Sequence, residues 1–461
     1  MRVIVVGAGD VGYDVARLLS QQRHDVTVVD KDPARVAHVR DTLDVLALTG
    51  SGTSAATLAA AGLAEADLLV AVTDSDEANV IAAMLAARAG RPGRGSPHGG
   101  TTTIARVRSD NYTGEGAVLT PVDFGIDYLV HPEETTAGEV VTLLRRAAAT
   151  DVVPFCEGRL QLVGLRIEPG AAVVGATLSA LAARAPAPFR VMGIVRGART
   201  LVPSGADTVQ SRDQVFVLVP QGQVGRVSHL FGKEPGRLRH AMILGGSSIG
   251  ARVAAELSSA GRRGGGMQVK LVEADRARAE FLAETLPAAL VLHGDPSDLD
   301  LLVREGLPET DAVVAVADDE ESNLVSCLMA KHLGVRKTVA LLSKSAYIPI
   351  AQSIGLDAAV NRKLAVSRAV LRVLRGGHVQ SVATVVGLDA EILEFVAAPG
   401  APVTRAPLGA LGLPRGLLVG GVVHGRHAEV ATGETRLHAG DRAVVFALPD
   451  RVADAERAFA A

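Results

Sequence analysis

Short runs of aliphatic and β-branched residues alternate with stretches of helical period along most of the chain. The first run, Val3-Ile4-Val5-Val6, shows no polar alternation and stops at Gly7, as a strand buried on both faces does. Asp14 to Leu19 then continue with helical spacing. Val26-Thr27-Val28-Val29-Asp30 predicts a second strand, Val45 to Gly50 a third and Ala66 to Thr73 a fourth. The acidic turn Asp74-Ser75-Asp76-Glu77 follows, with a helix from Ala78. Strands that alternate with helices predict right-handed βαβ units and a doubly wound parallel sheet. Gly90 to Thr103 is rich in Gly, Pro, Arg, Ser and Thr without an apolar period, which reads as a surface insertion. The sheet resumes at Thr103 to Arg108.

The same pattern returns. Ala241 to Gly250 repeats the opening strand and glycine turn, and Val269-Lys270-Leu271-Val272-Glu273 repeats the strand that ends in an acid. Gly50 pairs with Gly294, Asp67 with Asp311 and Asn79 with Asn323, each displaced by 244 positions. His131 pairs with Asn361, the shift being altered by the insertion. Each copy is followed by short strands broken by Gly, Pro and Asp, which suggest a small α+β domain. Gly193 pairs with Gly421 and Asp213 with Asp441, both displaced by 228. The chain is a tandem duplication. Its expected domains are 1–132 and 236–362, doubly wound and Rossmann-like, each followed by a linker helix and a small domain at 133–235 and 363–461.

Chemistry enters at Gly7-Ala8-Gly9-Asp10-Val11-Gly12. In G-x-G-x-x-G after a strand, the first glycine permits the turn, the second lets a pyrophosphate approach, and the third allows close helix packing. The free N–H groups of the following helix face an anion. Asp30, at the end of the second strand, suits the hydroxyls of a ribose and repels a 2′-phosphate. A strand–helix turn that holds nothing would use the same glycines, and the acid at this distance weighs against it.

Composition excludes more than it selects. The net charge is -3, without blocks of like charge, which leaves no electrostatic case for nucleic acid. No basic helix-turn-helix appears. Cys156 and Cys327 stand far apart and form neither a disulfide framework nor a metal cluster, as in a reducing compartment. Met1 opens directly into the first strand, so no leader is expected, and no long apolar run predicts a membrane span. His229, His378, His424, His427 and His438 lie in no recognisable catalytic setting. The acids at 74–77 and 318–321 precede helices and read as caps rather than as cation sites. No catalytic residue and no metal ligand is assigned. The rival to a binding protein is an NAD-dependent oxidoreductase.

A glycine-turn unit, the strand Ile104-Ala105-Arg106-Val107-Arg108, the D-x-D-E-x-N turn at 74–79 and a small V-G-x-T-L/G-D-x-V domain stand in an order of units that largely recurs. This doubled order resembles the TrkA family, peripheral subunits of Trk potassium-uptake systems built from two RCK modules, each an N-terminal Rossmann domain plus a TrkA-C domain. The resemblance covers nearly the whole chain outside the insertion. It implies no enzyme but a nucleotide-gated cytoplasmic ring, a homotetramer, peripheral at the inner face of the membrane beneath a Trk-type channel subunit. It implies NAD(H), ATP or ADP as regulatory ligands. Carried onto this sequence, the first site comprises Gly7, Gly9, Asp10, Val11 and Gly12 around the phosphates, with Asp30 and Lys31 at the ribose. Thr49, Gly50, Thr73 and Asp74 stand at strand ends, and Arg106 and Arg108 match family arginines that face phosphates or a neighbouring subunit. The second site comprises Gly245, Gly246, Ile249, Gly250, Glu273, Gly294 and Asp295. There Ser247 replaces the middle glycine and no I-A-R-V-R stands near Arg336 and Lys337, so weaker binding is expected.

Overall fold

The computed structural model describes residues 1–89, 101–109, 112, 123–145, 150–197, 199–233, 238–259, 266–344, 347–363, 366–367, 370–371, 379–384 and 388–460. Most of the stretch read as an insertion, and His378, lie outside these. The chain forms two units, Met1–Thr135 with Arg362–Gly377, and Thr136–Asn361 with His378–Ala461.

In the first unit, β1 (Arg2–Val6), α1 (Asp10–Gln21), β2 (Asp25–Asp30), α2 (Pro33–Thr42), β3 (Leu46–Thr49) and α3 (Ala55–Ala60) come first. Next are β4 (Leu68–Ala71), α4 (Asp76–Ala89), β5 (Thr102–Arg106), β6 (Tyr128–Val130) and the start of α5 (Pro132–Arg145). The strands form one sheet in the order β3-β2-β1-β4-β5-β6, and neighbouring strands pair in parallel. This is the doubly wound order of dinucleotide folds. Alternation along β1 explains its unbroken apolar run. Val3 and Val5 pack with Val15 and Leu19 of α1, whereas Ile4 and Val6 pack with Leu58, Ala82 and Ala86. Strand β5 begins at Thr102, inside the tail of the expected insertion, because Thr101 and Thr103 are buried and hydrogen-bonded to Ala66 and Asp127.

The second unit opens with the rest of α5 and a small domain. It comprises β7 (Asp151–Phe155), β8 (Leu160–Arg166), α6 (Leu178–Ala183), β9 (Arg190–Arg196), β10 (Arg199–Leu201), β11 (Gln214–Pro220) and α7 (Val224–Leu230). The second doubly wound sheet follows: β12 (His240–Leu244), α8 (Ser248–Ser259), β13 (Gln268–Glu273), α9 (Arg276–Thr285), β14 (Leu290–His293) and α10 (Leu299–Arg304). It continues through β15 (Ala312–Ala315), α11 (Glu320–His332), β16 (Lys337–Leu341), α12 (Tyr347–Ser353) and β17 (Ala358–Val360). The last domain holds β18 (Val379–Thr384), β19 (Glu391–Val396), β20 (Leu417–His424), β21 (His427–Val430), β22 (Arg442–Ala447) and α13 (Val452–Phe459). Its sheet, β18-β19-β22-β20-β21, repeats the antiparallel order β7-β8-β11-β9-β10 of the first small domain.

The segments that follow the two large sheets pack where the repeat alone does not predict. Ala137, Val140, Val141 and Leu144 of α5 belong to the core of the second large sheet, beside Ile243 and Val253. Val366 and Val370 belong to the core of the first, beside Val15 and Val28. The two small sheets also share a core, in which Phe155, Leu162 and Phe216 meet Ile392, Val423 and Phe446.

Both cysteines are free and buried. Burial pushes each thiol up to about 12, with Glu394 adding to the effect at Cys156. A thiol so raised holds almost no thiolate near pH 8. The folded chain is therefore expected to react with a chromogenic disulfide reagent only after denaturant is added, and a fast native-state reaction would contradict the burial.

Candidate functional site

The glycine turn sits at the carboxyl end of β1, between the ends of β2 and β4. Gly7 has φ +105°, and a Cβ there would lie 2.9 Å from the Thr73 amide nitrogen. A Cβ on Gly12 would lie 1.8 Å from the Gly7 carbonyl oxygen, so α1 can cross the turn this closely only without a side chain. Gly9 differs from both. A Cβ there meets only the Arg35 guanidinium, at 3.3 Å, and α1 starts at Gly9 with no side-chain cap. Helix N–H groups without a cap are an anion-binding surface. Asp10 is exposed and pairs with Lys363 at 3.5 Å, so its carboxylate is drawn to a cation and not into the turn. Val11 is half-buried.

The acid of β2 braces the turn. Asp30 is buried and accepts hydrogen bonds from the Ala8 N–H (2.6 Å) and the Asp32 N–H (2.8 Å). A carboxylate has about four acceptor positions, so capacity remains for a hydroxyl. Lys31 and Thr49 are exposed, and Gly50 donates its N–H to the Asp30 carbonyl at 2.9 Å.

At the ends of β4 and β5, Asn79 is fully buried and works as a clamp. Its Oδ1 accepts from the Thr73 N–H (2.7 Å), and its Nδ2 donates to the carbonyls of Thr73 (3.0 Å) and Arg106 (2.9 Å). Asp74 is exposed and lies 3.9 Å from Arg35. Ser75 caps α4 through the Ala78 N–H, and Asp76 accepts from the backbone N–H groups of Arg108 (3.0 Å) and Ser109 (2.8 Å). The Arg108 guanidinium donates to the Asp74 carbonyl. Arg106 is partly buried and its Nε has no hydrogen-bond partner, as is also true of Glu133 Oε2. Burial holds the Arg106 guanidinium below its ordinary range, and Arg108 adds to this, while Glu133, Asp74 and Asp76 pull the other way. A buried donor without a partner is rare and costs about 1–3 kcal/mol.

The second copy reproduces the frame but not the opening. Gly245 again has φ +105°, Gly250 packs on its carbonyl, and Glu273 accepts from the Gly246 and Asp275 N–H groups at 2.6 and 2.8 Å. Asn323 clamps Ala317 and Leu341 as Asn79 clamps Thr73 and Arg106, which places Leu341 where the first copy has Arg106. The Ser247 hydroxyl accepts from the Gly250 N–H (3.3 Å) and donates to the Val316 carbonyl (2.8 Å), so the start of α8 is capped from within. Ile249 is buried in the core. Gly294 donates to the Glu273 carbonyl, and Asp295 closes a turn on Ser297, whose backbone N–H and hydroxyl hold its carboxyl below the usual range.

Family models place these features. The TrkA-N domain matches residues 3–132 and 241–362, and the TrkA-C domain matches 162–232 and 392–460. The chain belongs to the TrkA family. It is 33% identical over its full length to the Trk system potassium uptake protein TrkA of Azorhizobium caulinodans, of which it covers 98%. It is 32% identical, with both chains covered completely, to a TrkA homolog of Methanosarcina mazei. The fold is that of the GsuK channel bound to NAD, at TM-score 0.61 and 16% identity, over 99% of this chain and 78% of that one.

Within the two TrkA-N domains, the site residues expected from sequence gather at the carboxyl ends of the strands, except Ile249, which turns into the core. Sequence reasoning missed Arg35. It stands over Gly9 in the first domain, and its counterpart Arg278 donates to the Gly246 carbonyl at 3.0 Å in the second. The common displacement of Asp30/Glu273 and Arg35/Arg278 by 243 positions is the signal that could have found it. It also missed Glu133, and a cluster in the second TrkA-C domain where His424 and His438 meet Asp441.

Proposed function

We propose that this chain is the nucleotide-binding regulatory subunit of a Trk-type potassium uptake system. In this reading the first TrkA-N domain holds an adenine nucleotide, NAD(H) or ATP/ADP, and the chain works in a homotetrameric ring at the inner face of the membrane. The observation that carries it is the uncapped start of α1 at Gly9, with Arg35 above it and buried Asp30 beside it. The phosphates take the helix N–H groups and a ribose takes Asp30. The names of the relatives and the NAD-bound channel support the same reading. Among the described residues no helix is long and apolar enough to cross a membrane. In this reading the pore belongs to a membrane partner, as the names of the Trk relatives suggest. A ligand that binds one ring state better than another shifts that partner's opening by the difference in affinity.

Calorimetric titration of the full chain with ADP, ATP, NAD, NADH and NADPH tests this. One strong site per chain is expected, with NADPH disfavoured by Asp30. Arg106→Ala is expected to weaken ADP binding at least about tenfold, the loss of one charged hydrogen bond. Failure of every adenine nucleotide to bind would sink the proposal, as would turnover of a substrate with NADPH.

A further inference from the structure

The duplication supplies an internal control for the histidine cluster of the second TrkA-C domain. In the first, Arg196 donates to both oxygens of Asp213, each at 2.8 Å, and the Gln210 N–H donates to the same carboxylate at 2.8 Å. The second keeps the carboxylate and its backbone donor, since the His438 N–H reaches Asp441 Oδ2 at 2.6 Å. The side chains have changed. At the displacement of 228 that relates Asp213 to Asp441, Arg196 becomes His424 and Gln210 becomes His438. An arginine has no lone pair for a metal, whereas each imidazole has one. A carboxylate answered by a fixed cation in one copy is answered by metal-ligating side chains in the other.

The geometry points to a site for a zinc-class divalent cation held by His424, His438 and Asp441, and we propose that the second TrkA-C domain carries it. Asp441 Oδ2 lies 2.7 Å from His424 Nδ1 and 3.4 Å from His438 Nδ1, and the three donor atoms lie within 4.8 Å of one another. Two ligands of one tetrahedral zinc, each at 2.0–2.1 Å, stand about 3.3 Å apart, so a bound ion draws the three donors toward that spacing. The ring of His424 is oriented from behind. Its Nε2 faces Glu429 Oε1 at 3.7 Å, and the Thr435 hydroxyl donates to that oxygen at 3.1 Å. A carboxylate behind a ligating imidazole is the usual outer support of such sites. Asp441 is nearly buried while His438 is exposed, which leaves a coordination position open to solvent. Two nitrogens and one oxygen favour zinc, cobalt, nickel or copper over calcium or magnesium. The ion ties the β20–β21 hairpin to the turn before β22.

The test is titration of the chelator-treated full chain with zinc by calorimetry, and with cobalt by its visible ligand-field absorption. One ion per chain and a tetrahedral or five-coordinate cobalt spectrum are expected. His424→Arg and His438→Gln restore what the first copy already folds with, so both are expected to keep the native circular dichroism. Each is expected to lose more than about 100-fold in affinity, and Glu429→Gln about tenfold. Absence of zinc binding to the unaltered chain would overturn the proposal. So would unchanged affinity in folded His424→Arg and His438→Gln, which would place the ion elsewhere.

Discussion

Glu394→Ala is expected to destabilise the paired TrkA-C domains by about 3 kcal/mol, the lower end for breaking a buried ion pair. Glu394 is almost fully buried on β19. One oxygen accepts from the Cys156 N–H at 2.8 Å and the other from Arg442 Nε at 2.7 Å. The turn it holds is strained, because Cys156 and Glu157 have φ +51° and +59°. Left-handed backbone at such residues costs about 1–2 kcal/mol each and persists only where surroundings enforce it. Arg442 completes the enforcement, donating to Glu157 at 2.8 Å. Removal of Glu394 orphans the Cys156 amide and releases the turn, but Arg442 is a quarter exposed and keeps Glu157, which moderates the loss. Glu394→Gln keeps an acceptor for Cys156 and is expected to cost less. Urea unfolding, with Cys156 thiol reactivity as the local probe, measures both. An unchanged midpoint and an unreactive thiol in Glu394→Ala would show that packing of Phe155 and Phe446 alone holds the turn.

Much of this architecture was legible in the chain, and the reason is periodicity. Val3 to Val6 and Ala241 to Leu244 are apolar without alternation because both faces of each sheet are covered, and the acids and glycines that punctuate them recur at constant displacement. The partner of α5 was not legible. Its apolar stripe demands a covered face but does not choose between two sheets of the same design, and Val140 and Leu144 lie in the second. Arg35 was hidden for a different reason: an exposed arginine on a helix carries no pattern, and only its place over Gly9 gives it meaning. His424 and His438 looked scattered because fourteen positions separate them, while the pairing of β20 with β22 brings their neighbourhoods together. Ser247 in place of the middle glycine predicts a Cβ in the path of a phosphate. The structure adds that its hydroxyl caps α8, a role that no spacing rule reveals.

That cap gives the second large prediction, an exchange between the two copies. Gly9→Ser in the first TrkA-N domain is expected to leave the fold intact, because the new Cβ meets only the end of the flexible Arg35 side chain. Its hydroxyl lies where Ser247 lies in the second domain, able to accept from the Gly12 N–H as Ser247 accepts from that of Gly250. A helix start so capped has lost a donor that a phosphate would use, and the side chain fills the space through which the phosphate approaches. The two effects act on one ligand, and ADP affinity is expected to fall about 100-fold, or about 2.7 kcal/mol. The converse substitution, Ser247→Gly, removes the plug but not the deficit at Leu341, which stands where the first copy has Arg106. It is therefore expected to gain little unless Leu341→Arg accompanies it. Calorimetry on the three variants separates the contributions. Full ADP affinity in a folded Gly9→Ser chain would mean that the glycine turn of the first domain does not receive the phosphates. Tight binding by Ser247→Gly alone would mean that the plug, and not the missing arginine, distinguishes the copies.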